Sequence, residues 1–454
     1  MHWHKHKVSA GHFNEYKKLN RRMPVAVSLG GDPAYTYSAT APLPENVDEY
    51  MLAGFLRKKK VELVRCLTQP EIEVPADADI IIEGYVDPTE QLIWEGPFGD
   101  HTGYYSLPDW YPRFHVTAIT HKKDAVYPAT IVGIPPQEDA WIGKATERIF
   151  LAPIKMTMVP EIEDMHMPVE GVFHNLVIAS IHKEYAGQGQ KVMNALWGAG
   201  QMMFNKILLL TDSSKDSGIT TSDYTRLAKY VADNVNPATD IYFSQGPMDV
   251  LDHSCNKMGF GGKMFIDGTR KYAEEESGGE NSFKIHSSYD KLRLLSQYPE
   301  ISGINDFFAI SHHIPVLFVS LNKTRMNQPK ELHEQICCDE MLAGIKAILY
   351  VESTIDLNNV ADVLWRFCNN IDPKRDHFYA GKNFDIIGLD GTRKSKKIDS
   401  FGRPWPNIIV ADRTTIQTVD DKWDTYKIGE KIFSPSLRYF TQLYRGDATV
   451  LDND

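Results

Sequence analysis

The sequence predicts an α/β (α+β) protein in which a β-rich N-terminal part precedes a duplicated α/β region. Short apolar runs separated by Gly, Pro and Asp clusters predict strands in the first part. After Lys155 the pattern changes to alternating apolar strands and helices, which is typical of parallel βαβ units. Segments of this second part recur in the same order, which indicates an internal repeat.

The N-terminal part alternates strand-forming runs with turn residues. The predicted strands are Pro24–Leu29, Val61–Leu67, Ile80–Val86 and Arg113–Thr120. Helical patterns appear at Asp48–Leu56 and Ala140–Leu151. Short strands with this punctuation favour a compact sheet or barrel.

The second part opens with a βαβ unit, in which the helical stretch Gln188–Phe204 joins the strands Leu176–Ile181 and Ile207–Leu210. Its segments return later in the chain. The run that begins at Lys206 (Lys-Ile-Leu-Leu-Leu) returns as Lys-Ala-Ile-Leu-Tyr at Lys346, and Asp-Gly-Thr-Arg-Lys occurs at both 267–271 and 390–394. The sequence therefore predicts two copies of one structural unit.

The repeat sets the expected domain boundaries. Matching segments span about 158–272 and 297–394, and a polar acidic stretch separates them. We expect a core at 1–157, a first α/β copy at 158–283, a second copy at 284–395 and a tail at 396–454. The proline-containing tail is expected to wrap over the surface.

Composition excludes several classes of protein. The formal net charge of −11 disfavours a nucleic-acid partner, because phosphate binding needs a basic surface. No run of about 18 apolar residues predicts a membrane span, and the N-terminus does not resemble a signal peptide. The five cysteines match no zinc spacing, which favours a reduced cytoplasmic setting with mostly buried thiols.

Two carboxylates flank a tight turn in Glu95-Gly-Pro-Phe-Gly-Asp100. Such a turn can direct both side chains toward one cavity, where like charges favour a single shared proton and hence general acid chemistry. The alternative is a surface turn with two solvated acids. Spacing alone favours that alternative.

Glycines and a lysine form a second candidate site, Gly259-Phe-Gly-Gly-Lys263. Backbone N–H groups of clustered glycines can approach a phosphate, and the lysine supplies a positive charge. The P-loop spacing is absent, and a flexible loop is the alternative. The second copy lacks this segment, which favours a function for it.

Histidines alternate at His2, His4 and His6, which on a strand would place them on one face. This pattern suggests a metal site, although a solvated terminal segment has the same pattern. A metal hydrolase built on this strand is disfavoured, because no carboxylate–histidine partner pattern accompanies it.

Three further segments make the sequence resemble one known family. Around Glu95-Gly-Pro-Phe-Gly-Asp-His-Thr-Gly-Tyr-Tyr-Ser106 lie Pro24-Val-Ala-Val-Ser-Leu-Gly-Gly-Asp-Pro33 and Tyr127-Pro-Ala-Thr-Ile-Val-Gly-Ile-Pro-Pro136. With Phe114–Thr120 they resemble the core of UbiD-type decarboxylases. The resemblance runs from Met1 to about Lys271, and the second copy resembles the longer members of that family.

The resemblance implies a split β-barrel flavin domain, a duplicated α/β oligomerisation domain, and prenylated FMN held through manganese or magnesium and a potassium ion. By position in the motifs, it implies metal ligation by His6 and Glu49, a phosphate contact by Lys263, and catalysis by Glu95 as acid with Asp100 as its coupled partner. The implied flavin-lining residues are Ser38, Ala39, Thr40, Ala41 and Pro42.

The implied activity is reversible decarboxylation of an aromatic or unsaturated acid, and the implied setting is ubiquinone or menaquinone biosynthesis. The implied partners are other copies of the chain, which would form a homo-oligomer, and a flavin prenyltransferase that supplies the cofactor. The family's asparagine ligand and catalytic arginine come from an Asn-x-Gly-x-x-Arg motif that does not occur here. We therefore expect an N-terminally incomplete, inactive form, and a non-catalytic oligomeric module is the competing reading.

Overall fold

The computed structural model describes residues 3, 8–44, 46–212, 218–275, 283–381 and 385–451. The chain forms two compact units. Unit 1 comprises residues 1–98 and 106–131, and unit 2 comprises residues 99–105 and 132–454. The predicted mixed α/β class is confirmed. The predicted domain boundaries stay predictions.

Unit 1 is organised around a three-stranded antiparallel sheet in the order β1 (Met23–Leu29), β4 (Ile80–Val86) and β9 (Phe114–His121). Each of these strands lies within two residues of a predicted one. The other short strands of unit 1 pair as β2 (Leu63–Arg65) with β3 (Glu73–Pro75) and β5 (Ile93–Glu95) with β8 (Asp109–Tyr111). The two-residue strands β6 (Phe98–Gly99) and β7 (Tyr105–Ser106) pair with each other, and each has one residue in either unit.

The helices described in unit 1 are α1 (Val8–Lys18), α2 (Pro33–Thr40) and α3 (Glu49–Arg57). An aspartate caps the N-terminus of α2 and of α3: Asp32 accepts from Ala34 N, and Asp48 accepts from Tyr50 N. Arg57, at the end of α3, lies 2.8 Å from Asp32, which fixes the two helices against each other.

Unit 2 contains two five-stranded sheets with the same strand order. The first runs β10 (Ile162–His166), β11 (Leu176–Ile181), β12 (Ile207–Thr211), β14 (Phe260–Asp267), β13 (Ile241–Pro247). The second runs β15 (Ile301–Asn305), β16 (Val316–Leu321), β17 (Ala347–Glu352), β19 (Ile386–Asp390), β18 (His377–Ala380). In both, the three central strands are parallel and the two edge strands antiparallel. The sequence repeat is therefore a repeat of structure.

The helices described in unit 2 begin with the predicted one near Ala140 and the crossover helix of the βαβ unit. They are α4 (Asp139–Thr157), α5 (Gln188–Trp197), α6 (Tyr224–Asn234), α7 (Pro237–Asp240), α8 (Lys291–Gln297), α9 (Phe307–His312), α10 (Gln328–Ile336), α11 (Val360–Asn370), α12 (Lys396–Asp399) and α13 (Arg413–Tyr426). The βαβ unit is confirmed, with α5 ending before the predicted end of that helix.

Three apolar clusters make up most of the core of unit 2. One belongs to the first copy and includes Val177, Leu208 and Phe265, and one belongs to the second copy. The third draws on both copies, because Ile207 of the first packs in the same cluster as Ile387 of the second. The two sheets therefore share buried surface.

The C-terminal tail, expected to wrap over the surface, has a largely exposed helix between buried segments. Its side chains Phe401, Trp405, Ile408 and Tyr439 are buried in unit 2. Large aromatic side chains contribute strongly to burial, so these segments of the tail are part of the folded core.

The five cysteines are unpaired, and all are buried except Cys338. In the described part of the chain, no helix has the length and apolar character needed to cross a membrane.

Candidate active site

Glu95 is the last residue of β5 in unit 1, where it pairs with Asp109 of β8. Its side chain is half-buried. The chain turns immediately after it at Gly96, whose φ of +108° is in the region that glycine adopts without strain. The strand pairing and the turn fix where the predicted acid lies within its unit.

Asp100 begins a turn that belongs to unit 2, where it is half-buried. Its carbonyl accepts from Gly103 N at 3.1 Å, and its Oδ1 accepts from the backbone N–H of His101 at 2.7 Å. Glu95 and Asp100 belong to different units, so we describe each within its own. The predicted coupling of the two acids stays a prediction.

A histidine pair lies beside Asp100. Nδ1 of His101 lies 2.9 Å from Asp100 Oδ1, and Nε2 of His101 lies 3.0 Å from Nε2 of His174. Asp139, at the start of α4, has its Oδ2 3.9 Å from Nδ1 of His101. His101 therefore lies between carboxylates on one side and a second imidazole on the other.

The pKa values of the two imidazoles are shifted in opposite directions. Burial lowers the pKa of His174 to about 4, so this ring is neutral near pH 7. Burial also opposes charge on His101, but its hydrogen bond to Asp100 and the nearby carboxylates raise its pKa above the ordinary value. One ring donates and the other accepts across the contact between their Nε2 atoms, and a neutral His174 can take either role.

The second ring nitrogen of His174, Nδ1, is buried and has no hydrogen-bond partner among the residues that the structure describes. Buried polar groups are normally satisfied, so an open polar atom in this cluster is an exception that a bound group would explain. Burial also raises the pKa of Asp139, whose carboxylate lies near His101.

The turn that carries Asp100 is held by α11 of the second copy. The indole N–H of Trp365 donates to Thr102 O at 2.8 Å, and the Tyr104 hydroxyl donates to Asn370 Oδ1 at 2.9 Å. Gly103 has a φ of +81°, and a Cβ there would lie 2.8 Å from the Trp365 ring. Position 103 therefore requires glycine for both reasons.

Lys263 lies in β14 rather than in a loop, so the flexible-loop reading of 259–263 is wrong for its last residues. The side chain is buried, and Nζ donates to Met203 O at 2.7 Å and Asn205 O at 2.6 Å. Burial lowers its pKa to about 8. An ammonium has three donors, so one remains for a further acceptor, and the phosphate contact stays a prediction.

Neighbouring parts of the fold explain the glycines before Lys263. A Cβ on Gly261 would lie 2.3 Å from the sulfur of Cys255. A Cβ on Gly262 would lie 2.1 Å from Oδ1 of Asp372 in the second copy. Both glycines permit close packing around β14, which spacing in the sequence could not distinguish from a phosphate cradle.

The residues predicted to hold the flavin and its metal are only partly described. His2, His4 and His6 lie outside the described residues. Glu49 is the first residue of α3 and is exposed. Among the residues described, no group of three His, Cys, Asp or Glu side chains is arranged to hold a metal ion. The predicted ligands therefore stay predictions.

The predicted flavin-lining stretch 38–42 begins in α2 and continues past its end. The side chain of Ser38 is buried, and its hydroxyl has no hydrogen-bond partner in the described part of the chain. A hydroxyl can donate and accept, so this unpartnered group fits a polar ligand bound beside α2.

Two family models match most of the chain. The UbiD model described as the 3-octaprenyl-4-hydroxybenzoate carboxy-lyase Rift-related domain matches residues 1–135. The model of the C-terminal domain of the same carboxy-lyase matches twice, at 140–268 and 287–397. The chain belongs to the UbiD family. The double match agrees with the two sheets of the same topology.

Two relatives of this chain are longer than the chain itself. An uncharacterized protein of Aquifex aeolicus is 49% identical over 275 residues, which are 61% of this chain and 55% of the relative. An uncharacterized protein of Helicobacter pylori strain J99 is 37% identical over 428 residues, which are 93% of this chain and 65% of the relative. The chain thus spans less than two thirds of either relative.

Two solved structures of other proteins have a fold similar to that of this UbiD chain over the part they cover. The UbiD-class enzyme HmfF from Pelotomaculum thermopropionicum, in complex with FMN, is 26% identical with a TM-score of 0.52, over 60% of this chain and 59% of HmfF. The vanillic acid decarboxylase of Sedimentibacter hydroxybenzoicus in closed form is 24% identical with a TM-score of 0.55, over 64% of this chain and 60% of that one. The second likeness supports the fold alone.

Proposed function

We propose that the protein is a prenylated-FMN-dependent decarboxylase, able to run in reverse as a carboxylase, of an aromatic or unsaturated carboxylic acid. Family membership over both domains supports the reaction class. The observation that carries the proposal is the half-buried cluster at Asp100, because a carboxylate hydrogen-bonded to one of two linked imidazoles is suited to handling protons.

Glu95 is the proposed proton donor to the carbon that loses carbon dioxide, and Asp100 is its coupled partner. The hydrogen bond from His101 fixes the direction of the Asp100 carboxylate. The hydrogen bond between the Nε2 atoms of His101 and His174 holds the orientation of the His101 ring. The carboxylate proposed to couple to Glu95 is thus fixed in position.

The proposed cofactor rests on the FMN bound by HmfF and on the unpartnered hydroxyl of Ser38. When bound, prenylated FMN supplies the electron sink for breaking the carbon–carbon bond. The stretch 38–42 would line it, and Lys263 would contact its phosphate with its remaining N–H. His6 and Glu49 would ligate the manganese or magnesium ion, with potassium nearby.

The substrate is proposed by reaction class. An aromatic or unsaturated ring acid has the conjugated bond that this chemistry requires, and a quinone precursor is one such acid. We also propose that the protein forms a homo-oligomer and receives its cofactor from a flavin prenyltransferase. These statements are proposals for the whole protein, since the chain spans less than two thirds of the length of either relative.

Co-expression with a flavin prenyltransferase tests the proposal. We expect flavin absorbance in the purified protein and release of carbon dioxide from at least one acid in a panel of aromatic and unsaturated acids. A protein with neither flavin nor turnover would support the non-catalytic oligomeric module instead. Bound metal without flavin would favour metal-dependent hydrolysis.

A further inference from the structure

Two equivalent lysines exchange contacts between the copies. Lys206 precedes β12, and its Nζ donates to Cys368 O at 2.9 Å, near the end of α11 in the second copy. Lys346 precedes β17, and its Nζ donates to Ala232 O at 2.5 Å, near the end of α6 in the first copy. Each lysine therefore binds carbonyls at the C-terminal end of the other copy's helix, where a cation is favourable.

The exchange is symmetric by the repeat itself. Lys206 and Lys346 begin matching segments, and Ala232 and Cys368 each lie four residues before the matching Asn-Pro and Asp-Pro turns. The lysine of the first copy thus contacts the helix end of the second copy, and the matching lysine of the second copy contacts the matching helix end of the first. This reciprocity is the property of a two-fold interface between identical subunits.

Apolar packing follows the same rule. The shared cluster contains Ile207 and Met264 from the first copy, and Leu349 and Ile387 from the second. Met264 and Ile387 hold matching places, because Met264 pairs with the first residue of β12 and Ile387 with the first residue of β17. Matching faces of the two sheets therefore contribute to one buried core.

The symmetry is broken where α11 reaches the turn that carries Asp100. Trp365 and Asn370 bond that turn, and Arg366 Nη1 donates to the Tyr104 hydroxyl at 2.9 Å. The matching helix α6 has Lys229 in the place of Trp365 and Tyr230 in the place of Arg366. The matching helix keeps an asparagine, Asn234, in the place of Asn370, but it has no equivalent of the Trp365 and Arg366 side chains.

We propose that the second copy is a built-in partner subunit: it covers the first copy as a second chain would, and Trp365 on its α11 positions the turn that carries Asp100 and His101. The catalytic consequence rests on the proposed function of Asp100, whereas the packing does not. Trp365 acts through Thr102 and is a positioning residue. The shared face is used within one chain, so any contact with further copies uses other surfaces.

Trp365→Phe in the full chain tests the positioning role, because it keeps the ring and removes the N–H that bonds Thr102. The matched control is Lys229→Gln at the equivalent position of α6. The readout is ¹⁵N NMR of histidine-labelled protein, with His101→Asn identifying the His101 signal. We expect the His101 titration midpoint to fall toward the ordinary value in Trp365→Phe and to stay unchanged in Lys229→Gln.

Tyr104→Phe provides a second variant, since it removes the hydroxyl that meets α11 and leaves the backbone of the turn intact. A fall in the His101 midpoint in either folded variant supports the positioning role. An unchanged midpoint in both, or an equal fall in Lys229→Gln, would overturn it. This readout needs neither flavin nor substrate, so its failure is distinguishable from failure of the proposed decarboxylase activity.

Cross-linking tests whether the copies pair within one chain. The rings of Phe243 in the first copy and His377 in the second are stacked with centroids 3.6 Å apart. Phe243→Cys with His377→Cys, in a Cys338→Ser background, should be joined by a short bifunctional maleimide within single chains at every protein concentration. A product that is mainly a covalent dimer would show pairing between chains and would refute the built-in subunit.

Discussion

Replacing Lys206 by methionine should destabilise the protein strongly. The Lys206 and Asp252 side chains are 0% and 1% exposed, and Nζ lies 2.7 Å from Asp252 Oδ2. Methionine keeps most of the volume but leaves a buried carboxylate without its cation, which costs about 3–5 kcal/mol in comparable pairs. We expect a loss of that size in the free energy of unfolding.

The loss should depend on pH. In the native protein burial opposes ionisation of Asp252, but Lys206 outweighs it and the pKa lies at about 2. Without the cation, burial raises the pKa of Asp252 above its unfolded value, so the folded variant binds a proton more readily than the unfolded chain. Stability of the variant then falls as the pH rises through that pKa, and the penalty is smaller in acid.

Lys346→Met is the matched control, because this lysine also bonds backbone carbonyls of the other copy but has no ion-pair partner among the described residues. Losing hydrogen bonds from a charged donor costs about 1.5–3 kcal/mol, with little change between mildly acidic and neutral pH. Urea unfolding of both variants at two pH values measures the difference. Equal, pH-independent losses would refute the reasoning from the buried charge.

Three further outcomes are expected. Glu95→Gln in the flavin-loaded protein should lower carbon dioxide release by about 10²–10⁴-fold while flavin absorbance is retained, and a change of only a few-fold would remove Glu95 from the mechanism. The raised pKa of His101 contributes stability that is present below its ordinary value of 6.5 and is lost as the pH rises through the folded pKa. His101→Asn should therefore lose the most stability, relative to the native protein, at low pH, and a difference that grows with pH would contradict the raised pKa of His101. Light scattering at micromolar concentration should show at least a dimer, with contacts from residues 158–394, and a monomer would contradict this.

Local patterns were sufficient to predict several elements. Ile80–Val86 was predicted with the observed bounds of β4, because β-branched residues lie between turn-forming aspartates. Helix α2 was missed although Asp32 followed by Pro33 is a helix-start pattern, since its β-branched and aromatic residues favour strands. The helix-start pattern was present in the sequence, but the strand-favouring residues after it outweighed it.

The site was harder to predict because its parts are distant in sequence. His101 follows a predicted acid, yet its ring is hydrogen-bonded to that of His174, 73 residues away. The bond from Trp365 to Thr102 joins residues 263 positions apart. A list of motifs along the chain contains no information about such pairs. Lys263 shows the opposite case, where the residue was singled out but its burial among backbone carbonyls was not foreseeable.

Gly262 limits how the sequences of the two copies can change relative to each other. Any side chain at this position would collide with the Asp372 turn of the other copy, so a substitution here is tolerated only if that turn moves as well. After the duplication the halves could no longer diverge independently along this contact. A chimaera that takes its second copy from a relative should therefore fold only when the strand around Gly262 comes from the same donor.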